Sequence, residues 1–110
     1  MTVDDLPILP TPRRNLTAPD VGAAVVYAAL LADPIRAGIL RLLADGPHCV
    51  CEMAAALEAR ENNVSNHLAR MREAGLVRAS RHTVNARFQY YERDHEAVAA
   101  ARSALLEVLR

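Results

Sequence analysis

Between residues 76 and 94 the chain changes character. LVRASRHTVNARFQYYERD is rich in β-branched and aromatic side chains that alternate with polar ones, whereas the stretches on either side are dominated by alanine and leucine. Alternation with period two is a strand signal, and small apolar residues recurring every three to four positions are a helix signal. A chain of 110 residues holds one core. Only folds that attach a single hairpin to a small helical body therefore remain.

The helical stretches carry their own punctuation. Alanine contributes 21 residues and leucine 14, and small or unbranched side chains cost little on entering a helix. Asp20 is placed to cap VGAAVVYAALLA, which is apolar on every side and must be covered. Asp33 before Pro34 starts a second helix, with Ile35, Ile39, Leu42 and Leu43 on its inner face and Gly46 as its stop. Pro47 is expected to open a third helix running to about Ala59. Asn62 or Asn63 then caps a fourth, with Val64, Leu68 and Met71 inward, Ser65, Asn66, Arg70 and Arg72 outward, and Gly75 at its end. Asp94 caps a last helix with Val98, Ala101, Leu105 and Leu109 on one stripe.

Residues 1–19 hold four of the six prolines and no lasting periodicity, so they are expected to form a flexible N-terminal arm. The remainder, 20–110, reads helix, helix, short helix, helix, hairpin, helix. That order predicts a mainly α fold with a β-hairpin wing, a winged helix-turn-helix. The hairpin turn is expected around His82 to Asn85, although it lacks an Asn-Gly or Asp-Gly pair.

Net charge is zero, and every basic residue is arginine, since lysine is absent. A neutral total argues against a nucleic-acid partner until the charges are placed. Residues 60–93 carry seven arginines against three acids, a balance of +4, and the rest of the chain carries −4. Positive charge is therefore concentrated on the fourth helix and the hairpin, where backbone phosphates would be met. The plainer reading of such a run is a solvated face.

Asn63, Ser65, Asn66 and Arg70 are candidate DNA-contacting residues, because short amides and hydroxyls near a helix start reach base edges and guanidinium pairs with guanine or phosphate. Arg72 belongs with them, and Arg81 and Arg87 flank the hairpin tip. His67 either donates to a phosphate or packs against the domain. Phe88, Tyr90 and Tyr91 are read as packing residues under the hairpin.

HCVCEM is the segment with the most specific chemistry. Two cysteines one residue apart do not staple a secreted domain, and the acidic, proline-broken start does not resemble a secretory leader, so a cytoplasmic protein is expected. On a regular helix Cys49 and Cys51 would point about 200° apart, so they share one ion only if the helix start opens. His48 and Glu52 are candidate further ligands within the same turn. A helix N-terminus favours thiolate, and thiolates select soft ions, As(III), Cd(II) or Pb(II), over Mg(II) or Ca(II). Buried, inert cysteine is the alternative.

DPIRAGILRLLADG, CVCEMAAALEA, NNVSNHLARMREAGLV and a wing ending in YYERDHE together resemble the ArsR/SmtB family of metal-responsive winged-helix repressors, over about residues 22–110. The resemblance implies a homodimer joined through its first and last helices. It implies binding to double-stranded operator DNA and release when As(III), Sb(III), Cd(II) or Pb(II) binds Cys49 and Cys51, with no organic cofactor, no membrane and no enzymatic activity.

Two departures stand out. Members with high-affinity soft-metal sites usually add a third thiolate, and this chain has only two cysteines. The zinc-type spacing some members carry on the last helix falls here on Asp94, Glu96, Glu107 and Arg110, where only Asp94 matches, and this argues against Zn(II) there. Two other readings use the same cysteines. One is a repressor triggered by thiol oxidation or persulfidation, which a strained i, i+2 disulfide disfavours. The other is a thiol enzyme or metal carrier with no DNA role, for which His48 lacks an orienting partner.

Overall fold

The computed structural model describes residues 19–81 and 85–110. The arm expected over 1–19 lies outside them except for Pro19, as do residues 82–84 of the expected hairpin tip. Five helices and three short strands follow: α1 (Pro19–Leu31), α2 (Pro34–Leu43), β1 (His48–Cys49), α3 (Val50–Leu57), α4 (Glu61–Glu73), β2 (Val77–Ala79), β3 (Tyr90–Arg93) and α5 (His95–Val108). This is the winged helix-turn-helix architecture, with α3 and α4 joined by Glu58, Ala59 and Arg60.

Local rules account for most of the boundaries. Asp33 Oδ1 accepts from the backbone N–H of Ile35 at 2.8 Å and of Arg36 at 3.1 Å, satisfying two amides that the first turn of α2 leaves unpaired. Asp94 Oδ1 does the same for Ala97 at 3.0 Å. After α4 the chain turns at Gly75, whose φ of 81° is left-handed, and Leu76 N–H reaches back to Met71 carbonyl at 3.0 Å. The first helix begins at Pro19, so Asp20 lies within it and not before it.

Two expected helix starts are corrected. Pro47 does not open α3: His48 and Cys49 are extended and pair with β3, and Cys49 itself is the N-cap. Neither Asn62 nor Asn63 caps α4, which starts at Glu61 behind Arg60 with no side-chain capping bond. The pairing of β1 with β3 delays the start of α3 past Pro47, and the tight three-residue turn after α3 starts α4 before either asparagine is reached. That turn also ends α3 at Leu57, with Glu58 left-handed at φ 52°.

The core is built from one stripe of each helix. Ile39 and Leu43 of α2, Met53 of α3, and Val64, Leu68 and Met71 of α4 are almost wholly buried, and Leu76, Val77, Val98 and Ala101 close it from the other side. The expected stripe of α5 holds for its first half only, since Leu109 is 79% exposed. With Val25 and Val108, which line the same hollow between the two helices, that leaves an apolar strip on α1 and α5 facing outward, and Val26 and Leu106 are exposed on other faces of these helices.

The wing is a three-stranded antiparallel sheet in the order β1-β3-β2, one strand more than the expected hairpin. β3 is central, with Cys49 opposite Tyr90, His48 opposite Tyr91 on one side, and Arg78 opposite Glu92 on the other. Among the described residues no single helix is long and apolar enough to cross a membrane.

Candidate nucleic-acid interface and cysteine pair

α4 presents one buried and one exposed side. With Val64, Leu68 and Met71 held in the core, helical spacing turns Asn63, Ser65, Asn66, Arg70 and Arg72 outward, and all five are exposed. Arg81 and Arg87 are exposed on the wing, where Arg87 N–H donates to Asn85 Oδ1 at 3.0 Å. Glu61 in the first turn and Arg70 and Arg72 in the last complement the helix dipole.

His67 departs from its neighbours. It is half-buried, its Nδ1 lies 3.1 Å from Arg36 Nη1 and its Nε2 lies 3.8 Å from Asp33 Oδ1. The packing reading of His67 therefore describes its surroundings, and its ring faces α2. Asp33 sits in this cluster with its carboxyl held below the usual range. The N–H of Arg36 contributes most, against a partial opposing effect of desolvation, and the N–H of Ile35, the neighbouring His67 ring and the charge of Arg36 add to it.

The positive balance of residues 60–93 is also redistributed by folding. Arg78 is bound to Glu92 at 3.2 Å and Asp94 at 3.4 Å. Arg93 turns inward and donates to Leu40 carbonyl at 3.3 Å, one of the carbonyls left over at the end of α2. Arg60, Arg70, Arg72, Arg81 and Arg87 remain on the surface. Arg72 lies over the ring of Tyr91, 5.7 Å from its centroid, within cation–π range. Tyr90 is buried under the wing as expected, but Phe88 is 45% exposed in the loop before β3 and does not pack there.

The cysteines sit where sheet becomes helix. Because Cys49 is extended, with φ −87° and ψ 166°, the divergence expected on a regular helix does not arise. The two sulfurs meet as a disulfide pair, with Cα atoms 5.4 Å apart. Cys49 is buried and Cys51 half-buried.

The two candidate further ligands are held otherwise. Glu52 Oε1 accepts from Cys49 N–H at 3.0 Å while Glu52 N–H donates to Cys49 Sγ at 3.4 Å, a reciprocal cap in which sulfur replaces the usual hydroxyl. His48 Nδ1 lies 2.9 Å from Gly46 carbonyl. Among the described residues no three His, Cys, Asp or Glu side chains cluster to hold a metal ion. A four-donor cluster of the structural-zinc kind is therefore not assembled around the cysteine pair among the described residues. On α5, Asp94 is engaged as the N-cap and with Arg78, and Glu107 with Arg110.

Two contacts of candidate site residues were not legible in the sequence: Arg36 as the partner of His67, and Tyr91 as the platform of Arg72. Both pairs join elements distant in the chain, and no spacing rule connects them.

Residues 33–79 match the model described as bacterial regulatory protein, arsR family. The arsenical resistance operon repressor of Escherichia coli (strain K12) is 45% identical over 49 residues, 44% of this chain and 42% of that protein. The chain spans less than half the length of the first two curated relatives that it matches. The crystal structure of a possible transcriptional regulator for arsenical resistance is 30% identical and superposes with a TM-score of 0.67 over 76% of this chain and 84% of that one. The homodimeric winged helix-turn-helix DNA-binding domain Mb0332 from Mycobacterium bovis is 28% identical, with a TM-score of 0.62 over 88% of this chain and 85% of that one.

Proposed function

Since the chain belongs to the arsR family of bacterial regulatory proteins, we propose that it is a homodimeric, cytoplasmic repressor that binds operator DNA and lets go when As(III) or Sb(III) is captured by Cys49 and Cys51. Cd(II) and Pb(II) are the alternative ligands for the same thiols. The observation that carries the reading is the meeting of the two sulfurs at the N-terminus of α3, the helix directly before the exposed polar face of α4.

In the reduced protein two thiols displace two hydroxyls from arsenite and two waters leave. The ligand's contribution is to hold both sulfurs at one centre. The protein's own contribution is mechanical: Cys49 Sγ accepts the Glu52 N–H, so any change at that sulfur is felt in the first turn of α3. α3 packs on α4, and Asn63, Ser65, Asn66, Arg70 and Arg72 on α4, with Arg81 and Arg87 on the wing, would contact the duplex. A coupling of about 1–3 kcal/mol between the two sites would suffice to switch occupancy.

Dimerisation is supported by the outward apolar strip of α1 and α5, which an isolated chain would leave in water, and by the homodimeric neighbour. A Val25→Asp or Val108→Asp variant that still sediments as a dimer would exclude this face. The function itself is tested by DNA retention of the reduced protein with and without arsenite, Sb(III), Cd(II) and Pb(II), repeated on the Cys49→Ser/Cys51→Ser variant. Release by the ion from the double serine variant would disprove the assigned site.

The juxtaposed sulfurs also favour a second reading, in which oxidation of the two thiols to the disulfide is the trigger. A response to peroxide or polysulfide in metal-free buffer, with none to arsenite, would select it.

A further inference from the structure

Tyr91 stands between the cysteine pair and the reading helix. Its backbone lies in the central strand, in register with His48 of β1 on one side and Ala79 of β2 on the other. Its ring carries the guanidinium of Arg72, the last-turn arginine of α4. β1 is two residues long and its second residue is Cys49, the N-cap of α3. Cys49 is opposite Tyr90 and the adjacent His48 is opposite Tyr91, so β1 has no residue outside this pairing in which a torsion change at Cys49 could be absorbed.

We propose that Tyr91 is a positioning residue that reports the state of the Cys49–Cys51 pair to Arg72. The inference rests on the functional reading above, in which these thiols capture the ligand and α4 contacts DNA. A guanidinium stacked on an aromatic face keeps its edge donors available while losing rotameric freedom, so it meets a phosphate already ordered. When ligand capture displaces β1, the ring moves from beneath Arg72, and that ordering is lost without any contact between the ligand and α4.

A thermodynamic cycle separates this role from a merely structural one. The probe is a duplex selected by the reduced wild-type protein from a randomised library, and the ligand is sodium arsenite. Tyr91→Leu is expected to bind the duplex about 2–5-fold more weakly than wild type before arsenite is added, the size of an exposed cation–π contact. Its arsenite response should shrink by the same factor, because the variant already resembles the released state. Tyr91→Phe keeps the ring and should match wild type on both counts, and arsenite stoichiometry should be unchanged in all three proteins.

A second readout needs no variant to fold. The Nε–H resonance of Arg72 in labelled wild-type protein should move when arsenite is added in the absence of DNA, as the ring current is withdrawn. A stationary Arg72 resonance, or a Tyr91→Leu protein with the full wild-type response, would overturn the relay while leaving the cysteine site intact. A wild-type protein whose DNA binding ignores arsenite would overturn both.

Discussion

Arg36 Nη1 meets His67 Nδ1 at 3.1 Å, across 31 positions of sequence. Arginine only donates, so the histidine nitrogen accepts and the ring proton sits on Nε2, on the Asp33 side. The same guanidinium donates through Nε to Leu30 carbonyl at 2.6 Å and through Nη2 to Ala29 carbonyl at 3.3 Å. One side chain therefore closes the C-terminus of α1, belongs to the first turn of α2 and holds α4. It joins the helix that carries the outward apolar strip to the helix that faces outward with Asn63, Ser65 and Asn66.

Replacing this fork with a single ammonium breaks the arrangement, because lysine cannot reach three acceptors spread over two helices. Arg36→Lys is expected to lower stability by about 1–3 kcal/mol, the range for hydrogen bonds to a charged group. Urea unfolding would show it as a lower midpoint with an unchanged slope. An unchanged midpoint would mean that the fork contributes nothing.

Asp33 gives the acid side of the stability profile a defined shape. Its folded pKa lies below the unfolded value of about 3.9, chiefly through the N–H of Arg36. A depressed carboxylate contributes stability that is present above the unfolded pKa and lost as pH falls through the folded one. Asp33→Ala should therefore melt earlier than wild type at pH 7, and the gap should narrow as pH is taken below about 4. A gap independent of pH would show that the ionised carboxylate is not what caps α2.

Glu58 is the only non-glycine with positive φ among the described residues, and it sits in the turn between α3 and α4. A side chain in the left-handed region costs on the order of 1 kcal/mol that glycine avoids. Glu58→Gly should raise stability by about 0.5–1 kcal/mol despite glycine's greater unfolded-state entropy. Thermal unfolding decides this, and a lower melting temperature would refute it.

Glu52 distinguishes a cap from a ligand. If its role is the reciprocal bond with Cys49, Glu52→Ala should cost about 0.5–1 kcal/mol and Glu52→Gln much less, since the amide oxygen also accepts. Arsenite stoichiometry, followed by thiolate absorption, should be the same in both variants. A loss of stoichiometry in Glu52→Gln would return the carboxylate to the ligand set.

Arg70 is exposed in the last turn of α4, and the phosphate contact that the proposed function assigns to it has a measurable signature. Arg70→Ala should reduce the slope of log K against log salt by about one, with similar weakening on selected and random duplexes. An unchanged slope would remove Arg70 from the interface, and a loss confined to the selected duplex would mark it as a base contact.

Most of the helical scaffold could be read from the chain because its determinants are local. Asp33, Asp94 and Gly75 act within one turn of the residue they occupy, and Val64, Leu68 and Met71 declare a buried face by spacing alone. The two misplaced starts at Pro47 and Asn62 share a cause. Each carries a good local signal that a non-local constraint overrides, the pairing of β1 with β3 in one case and the tight α3–α4 turn in the other.

The candidate site divides along the same line. Spacing and composition suffice to show which residues α4 exposes, that Cys49 and Cys51 stand at a helix start, and that residues 60–93 concentrate arginine. Packing between elements is what makes Cys49 extended so that the sulfurs meet, turns His67 to Arg36, engages Arg78 and Arg93 within the fold, and rests Arg72 on Tyr91. Caps and periodicities act through the backbone within a turn, whereas the partners of His67, Arg78, Arg93 and Arg72 are brought together by packing across 14 to 53 positions of sequence, and the two neighbouring sulfurs meet only because β1 pairs with the distant β3. Spacing rules reach along an element and stop at its end; the pairing of side chains between elements depends on how those elements are stacked.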